Sequence, residues 1–175
     1  KHENCLKCRY KTGFNPACYN ANAVSAQQEK SNQNPHFVYL ADFALNVIKV
    51  GISQEERGIR RLLEQGARLA IKLETFSSAL VARQYEAKIS KLDGIAETLP
   101  VHKKMELIKL PFDRATSERE LRQKLLEIEQ KIGVSFPKSE LIPCEDYFQT
   151  AGVDLSRVVL MKDYSQLVGN VRSVI

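Results

Sequence analysis

The chain has 175 residues, of which 43% are hydrophobic, and this is enough for one domain with an ordinary globular core. Its formal charge of +5 permits a polyanionic partner without requiring one. No run approaches the roughly 18 apolar residues that span a bilayer, and no signal-peptide pattern is visible, so we expect a soluble cytoplasmic protein without a membrane partner.

The N-terminal segment carries three closely spaced cysteines in the sequence KHENCLKCRYKTGFNPACYNA. Cys5 and Cys8 have the C-x-x-C spacing that lets two thiolates bind one tetrahedral ion, and Cys18 adds a third thiolate. We predict a structural zinc site with His2 as the fourth ligand, and with His36 or a residue upstream of the sequence as alternatives. The other interpretation is a set of reduced thiols, because a disulfide is disfavoured without a secretion signal.

Two short apolar runs follow a Gln-, Ser- and Asn-rich linker at residues 25–34. The runs at residues 37–41 and 47–52 are rich in Val, Ile, Phe and Tyr, and small or polar residues around Asn46 separate them. Strand-forming residues on both sides of a short polar break predict a β-hairpin.

The segment at residues 57–68 predicts an amphipathic helix that ends near Gly66. At about 3.6 residues per turn, its polar and apolar sides separate. The polar side contains Arg57, Arg61, Glu64, Gln65 and Arg68, and the apolar side contains Ile59, Leu62, Leu63 and Ala67. The arginines match phosphate oxygens, and the alternative is a solvated face of Arg–Glu pairs. Because Gly58 costs about 1 kcal/mol inside a helix, the helix is expected to begin one turn later.

A third strand and a second helix are predicted next. Residues 69–76 form the strand, and Ser77 or Ser78 caps a helix that runs to about Leu92. The buried stripe of this helix contains Val81, Ala82, Tyr85, Ile89 and Leu92, with Glu86 at its edge. An edge carboxylate can bind a hydrated magnesium ion when phosphate supplies other ligands. The alternative is a surface glutamate that pairs with Arg83 or Lys88.

The rest of the chain carries less specific signals. A polar, Lys-rich connection that contains His102 leads to Ser117, which forms a capping box with Glu120. A helix that ends near Gly133 follows, with an apolar stripe of Leu121, Leu125, Ile128 and Ile132. Residues 158–161 and 167–175 predict short strands of a small β-rich appendage, and Cys144 is expected to be a lone reduced thiol.

Together these elements predict an α+β fold in which helices flank a small three-stranded antiparallel sheet. The predicted division places the cysteine segment and linker at residues 1–34 and the sheet at residues 35–93. A helical connection and the β-rich appendage occupy residues 94–175.

The order of strand, strand, helix, strand and helix resembles the GIY-YIG nuclease domain. The first strand carries FVY at residues 37–39, and the second carries KVG at residues 49–51. Arg61 and Glu86 match the helical arginine and the metal-binding glutamate of that family, and Gln65 stands where members often carry His or Tyr. The cysteine cluster with VYLA, KVGIS and RRLLEQGA is most similar to an uncharacterised group of bacterial proteins that contain such a domain.

The resemblance covers residues 35–92 and implies a role for each matched residue. Tyr39 would serve the attacking water, Arg61 would stabilise charge on the phosphate, and Glu86 would hold magnesium or manganese. Lys49 departs from the family pattern, because it replaces the tyrosine of the second motif, and Phe37 replaces the glycine of the first. Lys49 either contacts phosphate as a point charge or acts as a base if burial lowers its pKa.

The leading hypothesis is therefore metal-dependent hydrolysis of phosphodiester bonds in DNA or RNA. Its catalytic residues are Tyr39, Lys49, Arg61 and Glu86, and its nucleic-acid-binding residues are Arg57, Arg60, Gln65 and Arg68. The alternative is a non-catalytic, zinc-containing module that binds nucleic acid on the same fold. A protein-interaction domain whose arginines pair with acids is the third possibility.

Overall fold

A computed structural model describes residues 30, 32–44, 47–148 and 153–157. His2, Cys5, Cys8 and Cys18 lie outside these residues, as do the strands predicted at 158–161 and 167–175, so the zinc site and those strands stay predictions. The described part of the chain contains a mixed α+β fold with one five-stranded sheet and four α-helices.

The strands are β1 (His36–Asp42), β2 (Ile48–Gln54), β3 (Leu69–Phe76), β4 (Ile95–Ala96) and β5 (Glu140–Ile142). The helices are α1 (Arg60–Gln65), α2 (Ala79–Ile89), α3 (Val101–Leu107) and α4 (Arg114–Ile132). Short 3-10 helices cover Glu55–Arg57, Cys144–Tyr147 and Leu155–Arg157. None of the described helices is long and apolar enough to cross a bilayer.

The sheet has the order β4-β2-β1-β3-β5. The antiparallel hairpin of β1 and β2 and the antiparallel pairing of β3 with β1 confirm the predicted three-stranded core. The predicted strand number was too low, because β4 adds to β2 in parallel and β5 adds to β3 in antiparallel orientation. Both edge strands have only two or three residues, too few to produce a period-two pattern in the sequence.

Strand β1 is the centre of the sheet and is buried along its whole length. Helices α2 and α4 cover one face, where a core forms around Val38, Leu40, Ile71, Ile89 and Leu121. Helices α1 and α3 cover the other face, where Leu62 and Leu107 pack against residues that include Phe37, Tyr39 and Phe43. Cover on both faces explains why β1 reads as a continuous apolar run and does not alternate.

The helix ends follow ordinary capping rules. Helix α1 begins at Arg60, about one turn after the amphipathic segment begins at Arg57. It ends at Gly66, whose φ is 73°. Ser78 caps α2 by accepting a hydrogen bond from the Val81 amide at 3.4 Å. Gly133 ends α4 with φ of 67°. These three boundaries agree with the sequence.

The region after α2 contains one helix that the sequence did not indicate, and one predicted helix boundary there was wrong. The Lys-rich connection contains helix α3, which is too short to show a clear apolar period. Helix α4 begins before the predicted capping box, because the Asp113 carboxylate accepts the Thr116 amide at 2.9 Å and acts as the N-cap. Ser117 therefore lies inside the first turns of α4, where it is 2% exposed.

A buried carboxyl group lies where β1 meets α4. Asp42, the last residue of β1, is 3% exposed, and its Oδ2 atom has no hydrogen-bond partner among the described residues. Burial raises the pKa of Asp42 to about 7, and the nearby Ser117 hydroxyl and Arg68 guanidinium offset this only in part. The stability of the fold where β1 meets α4 therefore depends on pH.

Candidate functional site

The centre of the candidate site is the contact between Tyr39 on β1 and Gly51 on β2. The two residues are paired across the antiparallel ladder, on the face that α1 and α3 cover. A Cβ atom at Gly51 would lie 2.4 Å from the Tyr39 hydroxyl oxygen and 2.5 Å from Cζ. Glycine is required here because the tyrosine ring occupies the space of a side chain.

The pairing of β1 with β3 is irregular at the same point. Val38 pairs with Glu74, whereas Tyr39 pairs with Lys72, so one residue of β3 is left over between them. Such an irregularity changes the direction in which neighbouring side chains point, and it is common beside active sites. It accompanies the placement of the Tyr39 ring across Gly51.

Tyr39 is buried and is kept in its neutral form. Its side chain is 1% exposed, and the hydroxyl group makes no hydrogen bond of good geometry to any residue that the structure describes. Burial raises the pKa of Tyr39, and the guanidinium of Arg61, which lies close to the hydroxyl, opposes this shift. A neutral phenol can donate or accept a hydrogen bond, but it is a poor base.

Lys49 lies beside Tyr39 and shares its burial. The residue is 8% exposed, its Nζ lies 5.8 Å from the centroid of the Tyr39 ring, and Nζ donates to the Val50 carbonyl at 3.0 Å. Burial lowers the pKa of Lys49 to about 8; Glu86 acts in the opposite direction, while Arg61 and Lys104 add to the lowering. A substantial fraction of this amine is therefore neutral near pH 8.

Glu86, which the sequence places at the edge of the apolar stripe of α2, is more deeply buried than an edge position suggests. It is 4% exposed and forms an ion pair through Oε2 with Arg83, which also binds Glu97 at 2.7 Å. The chain after α2 returns as β4, and Glu97, which follows β4, pairs with the same Arg83. Burial raises the pKa of Glu86, and Arg83 and Lys49 oppose this.

The predicted role of Glu86 as a ligand of a divalent cation depends on which of its oxygens is already in use. Because Oε2 accepts from Arg83, Oε1 is the oxygen that remains for an ion. The described residues contain no group of three or more His, Cys, Asp or Glu side chains that could hold a metal. A magnesium ion at Glu86 would therefore need water and phosphate to supply most of its ligands.

Arg61 connects these groups from α1. Its side chain is 31% exposed, and its nearest acidic partner in an ion pair, Glu64, lies 4.0 Å away. Its charge acts on Tyr39, Lys49 and Lys104. The structure thus places Lys49 beside Tyr39, and the charges of Arg61 and Glu86 both act on this pair.

The predicted nucleic-acid-binding residues have different surroundings. Arg57 and Arg60 are exposed, and Arg57 pairs with Glu64, as the solvated-face interpretation expected. Gln65 accepts hydrogen bonds from Lys104 through its backbone carbonyl at 2.8 Å and its side-chain Oε1 at 3.2 Å. Arg68 donates to the Leu110 carbonyl at 2.8 Å and lies 4.4 Å from the centroid of the Phe112 ring.

Lys104 is the functional candidate that the sequence did not identify. It projects from α3, the missed helix, and its charge acts on Lys49. Burial and the charge of Arg61 lower the pKa of Lys104. The only signal in the sequence was the Lys-rich composition, which does not give the direction of one lysine until the helix is known.

His36, the alternative zinc ligand, is buried at the start of β1. Its Nδ1 lies 2.7 Å from the Asn34 carbonyl oxygen, and burial lowers the pKa of the ring. A neutral imidazole is the form that binds zinc. Its cysteine partners lie outside the described residues, so this role stays a prediction.

Comparison with known proteins gives one match. No curated protein and no solved structure matches the chain. The profile of one family, described as "Protein of unknown function (DUF2797)", matches residues 1–151. This range includes the cysteine segment, the whole sheet and every candidate site residue. The chain therefore belongs to the DUF2797 family.

Proposed function

We propose that the protein hydrolyses phosphodiester bonds in DNA or RNA with the help of one magnesium or manganese ion, as the resemblance to GIY-YIG nucleases implies. The observation that supports this is that Tyr39 and Lys49 meet at Gly51, and that the charges of Arg61 and Glu86 act on both of them. A base, a phosphate-binding cation and a metal-binding carboxylate within mutual electrostatic range are the groups that such hydrolysis requires.

Lys49 is the general base of this proposal. Its neutral amine takes a proton from the attacking water, because burial brings its pKa close to the working pH. Tyr39, whose pKa is raised, orients that water through a hydrogen bond. Arg61 pairs with the phosphate oxygens on which negative charge increases during the reaction.

Glu86 would hold a divalent ion, and Arg83 would fix the orientation of its carboxylate by binding Oε2. The bound ion supplies positive charge that polarises the phosphate and stabilises the leaving oxygen. The charge of Glu86 also favours the protonated form of Lys49, so neutralising that charge would favour the neutral amine.

A nucleic-acid-binding module without hydrolysis is the second candidate function. The ion pair between Arg83 and Glu86 favours it, because a carboxylate that already has a partner loses part of its affinity for a cation. In that case Lys49, Arg61 and Lys104 would bind phosphate as fixed charges.

Two matched variants separate these functions. We expect Glu86→Gln to reduce magnesium-dependent cleavage of plasmid and single-stranded substrates on the order of 100-fold or more, while binding without divalent cations is retained. Glu97→Gln is the control, because it removes a carboxylate from the same Arg83 but no ligand of the ion, and we expect cleavage within a few-fold of the parent. Equal cleavage by the parent and Glu86→Gln, or no cleavage by the parent protein, would reject the hydrolase.

The cysteine segment enters the proposal separately. We propose that Cys5, Cys8, Cys18 and His2 hold a structural zinc ion in a cytoplasmic protein. Metal analysis of the purified full chain tests this, with about one zinc per chain expected and less than half of that in Cys8→Ser. A folded parent protein without zinc would reject the site.

A further inference from the structure

A small cavity lies beside the candidate site, between the C-terminal end of α1 and α3. Its volume is about 180 Å³, and its apolar lining comes from Phe43, Leu63, Val101, Met105 and Ile108. Clefts that bury a whole drug-sized molecule measure roughly 300–1,000 Å³. A cavity of this size therefore accepts a single flat ring system, with the remainder of the molecule outside.

The wall of this cavity also carries polar groups that suit such a ring. Lys104 Nζ lies 5.1 Å from the centroid of the buried Phe43 ring. The Gln65 amide, the Glu64 carboxylate and the Arg68 guanidinium complete the lining. Together they provide hydrogen-bond donors and acceptors at the edge of an apolar floor, which is the chemistry that recognises a nucleobase removed from a helix.

Lys104 connects the cavity to the catalytic residues. Its charge acts on Lys49, and the charge of Arg61 acts on Lys104. Within residues 32–44 and 47–148, no carboxylate lies within 4.0 Å of the Nζ of Lys49 or Lys104. A phosphate group placed among these cations would relieve their mutual repulsion.

We propose that this cavity binds one unpaired nucleobase of the strand whose phosphate is held by Arg61 and Lys104. This inference rests on the proposed function and specifies its substrate, a strand with a single-stranded or extrahelical nucleotide. Phe43 and Met105 contact the faces of the base, and Gln65 and Glu64 contact its edge. Perfect duplex is a poorer substrate, because the base must first leave its stack.

Binding of fluorescent oligonucleotides without divalent cations tests the site. The probes are a single-stranded oligonucleotide, the same strand with abasic residues, and the matching duplex. For the parent protein we expect roughly tenfold tighter binding of the strand with bases than of the abasic strand. Val101→Trp and Met105→Phe fill the cavity and should remove this difference, while Met105→Leu, of similar volume, should keep it.

Val101 is 60% exposed, so a large side chain at this position enters the cavity from the rim without disturbing the core. Thermal unfolding of each variant within a few degrees of the parent checks that the fold is retained. Equal affinity for the abasic and normal strands, or an unchanged preference in Val101→Trp, would overturn the base site. Competition by a nucleoside monophosphate as strong as by the strand would overturn recognition of a strand.

The same experiments separate this inference from the hydrolase. Base-dependent binding by a protein that never cleaves would support the base site and reject hydrolysis. Magnesium-dependent cleavage of the abasic strand at the rate of the normal strand would support hydrolysis and reject the base site.

Discussion

Lys49 stands where the resembling family carries a tyrosine, and burial affects the two side chains in opposite directions. Desolvation disfavours a charged form, so it raises the pKa of a phenol and lowers the pKa of an amine. Tyr39 shows the first effect, and Lys49, with a pKa of about 8, shows the second. In this desolvated position, lysine is therefore closer to a useful base at neutral pH than tyrosine would be.

The pH dependence of cleavage follows from that pKa. Below about pH 8 the Lys49 amine is mostly protonated and cannot accept a proton, so we expect the rate to rise about tenfold per pH unit and to level off above pH 8. Lys49→Arg keeps the charge but stays protonated throughout, and we expect a loss on the order of 100-fold. Rate profiles from pH 6 to 10 measure this. A parent profile that is flat across pH 8 would remove Lys49 from the role of base.

Gly51 offers a second test at the scale of single residues. In Gly51→Ala the new Cβ meets the Tyr39 hydroxyl at 2.4 Å, so the ring must move. We expect a loss of roughly 1–3 kcal/mol in the free energy of unfolding and a larger loss of activity.

A double-mutant cycle with Tyr39→Leu identifies the cause of that loss. If the ring is responsible, Gly51→Ala should destabilise the Tyr39→Leu variant much less than the parent in urea unfolding. Equal destabilisation of both proteins would mean that the glycine is needed for another reason.

Some of the elements that form the site can be predicted from the sequence, and others cannot. The hairpin of β1 and β2, the start of α1 and the Ser78 cap of α2 were predictable, because each has a strong local signal. Helix α3, with Lys104, and strand β4, which leads to Glu97, were not. They are short segments whose conformation depends on packing against a sheet edge or a helix surface. These contacts involve residues that are distant in the sequence, so local sequence patterns do not predict them.

The burial of Glu86 has the same explanation. The periodicity of α2 placed it correctly at the edge of the apolar stripe. The chain that brings Glu97 to Arg83, the ion-pair partner of Glu86, arrives from β4, and the pairing of β4 with β2 fixes its path. Helical spacing therefore gave the direction of the side chain but not its exposure.

The buried Asp42 between β1 and α4 predicts how the stability of the protein changes with pH. Because the pKa of Asp42 is raised from 3.8 to about 7 in the folded state, the stability that it contributes is present below pH 4 and is lost as pH rises through 7. Between pH 5 and 8 the loss is on the order of 2–3 kcal/mol. Asp42→Asn should unfold with a smaller dependence on pH and be more stable than the parent at pH 8. Urea unfolding at both values measures this, and identical pH dependence in parent and variant would contradict it.

At the scale of the whole molecule, the net charge of +5 is a weak guide, because many of the positive charges are paired. Arg57, Arg83 and Arg114 are each in ion pairs with carboxylates. Lys49, Arg61, Lys104 and Arg68 are the cations of the candidate site and of the cavity beside it.

The salt dependence of binding tests this distribution. If these four cations contact a single-stranded oligonucleotide, log K should fall against log salt with a slope of about −3. Lys104→Gln should make the slope shallower by roughly 0.7. Lys138→Gln is the control, since the exposed Lys138 lies in the loop that carries Phe136 against the opposite face of the sheet. Binding that is insensitive to salt would contradict a phosphate contact altogether.

Alkylation of the buried Cys144 thiol can report local opening of the sheet edge at β5. Its thiol is fully buried directly after β5, donates to the Ile142 carbonyl at 3.6 Å, and has a pKa raised to about 12 by burial. Only an exposed thiolate reacts with iodoacetamide. The rate at which the peptide that contains Cys144 is alkylated, followed by mass spectrometry, therefore measures how often the β5 edge opens. If alkylation depends on urea less steeply than unfolding does, this edge opens locally, as a three-residue strand at the border of a sheet is expected to do. If alkylation and unfolding depend equally on urea, the edge strand and the central strands unfold as one cooperative unit.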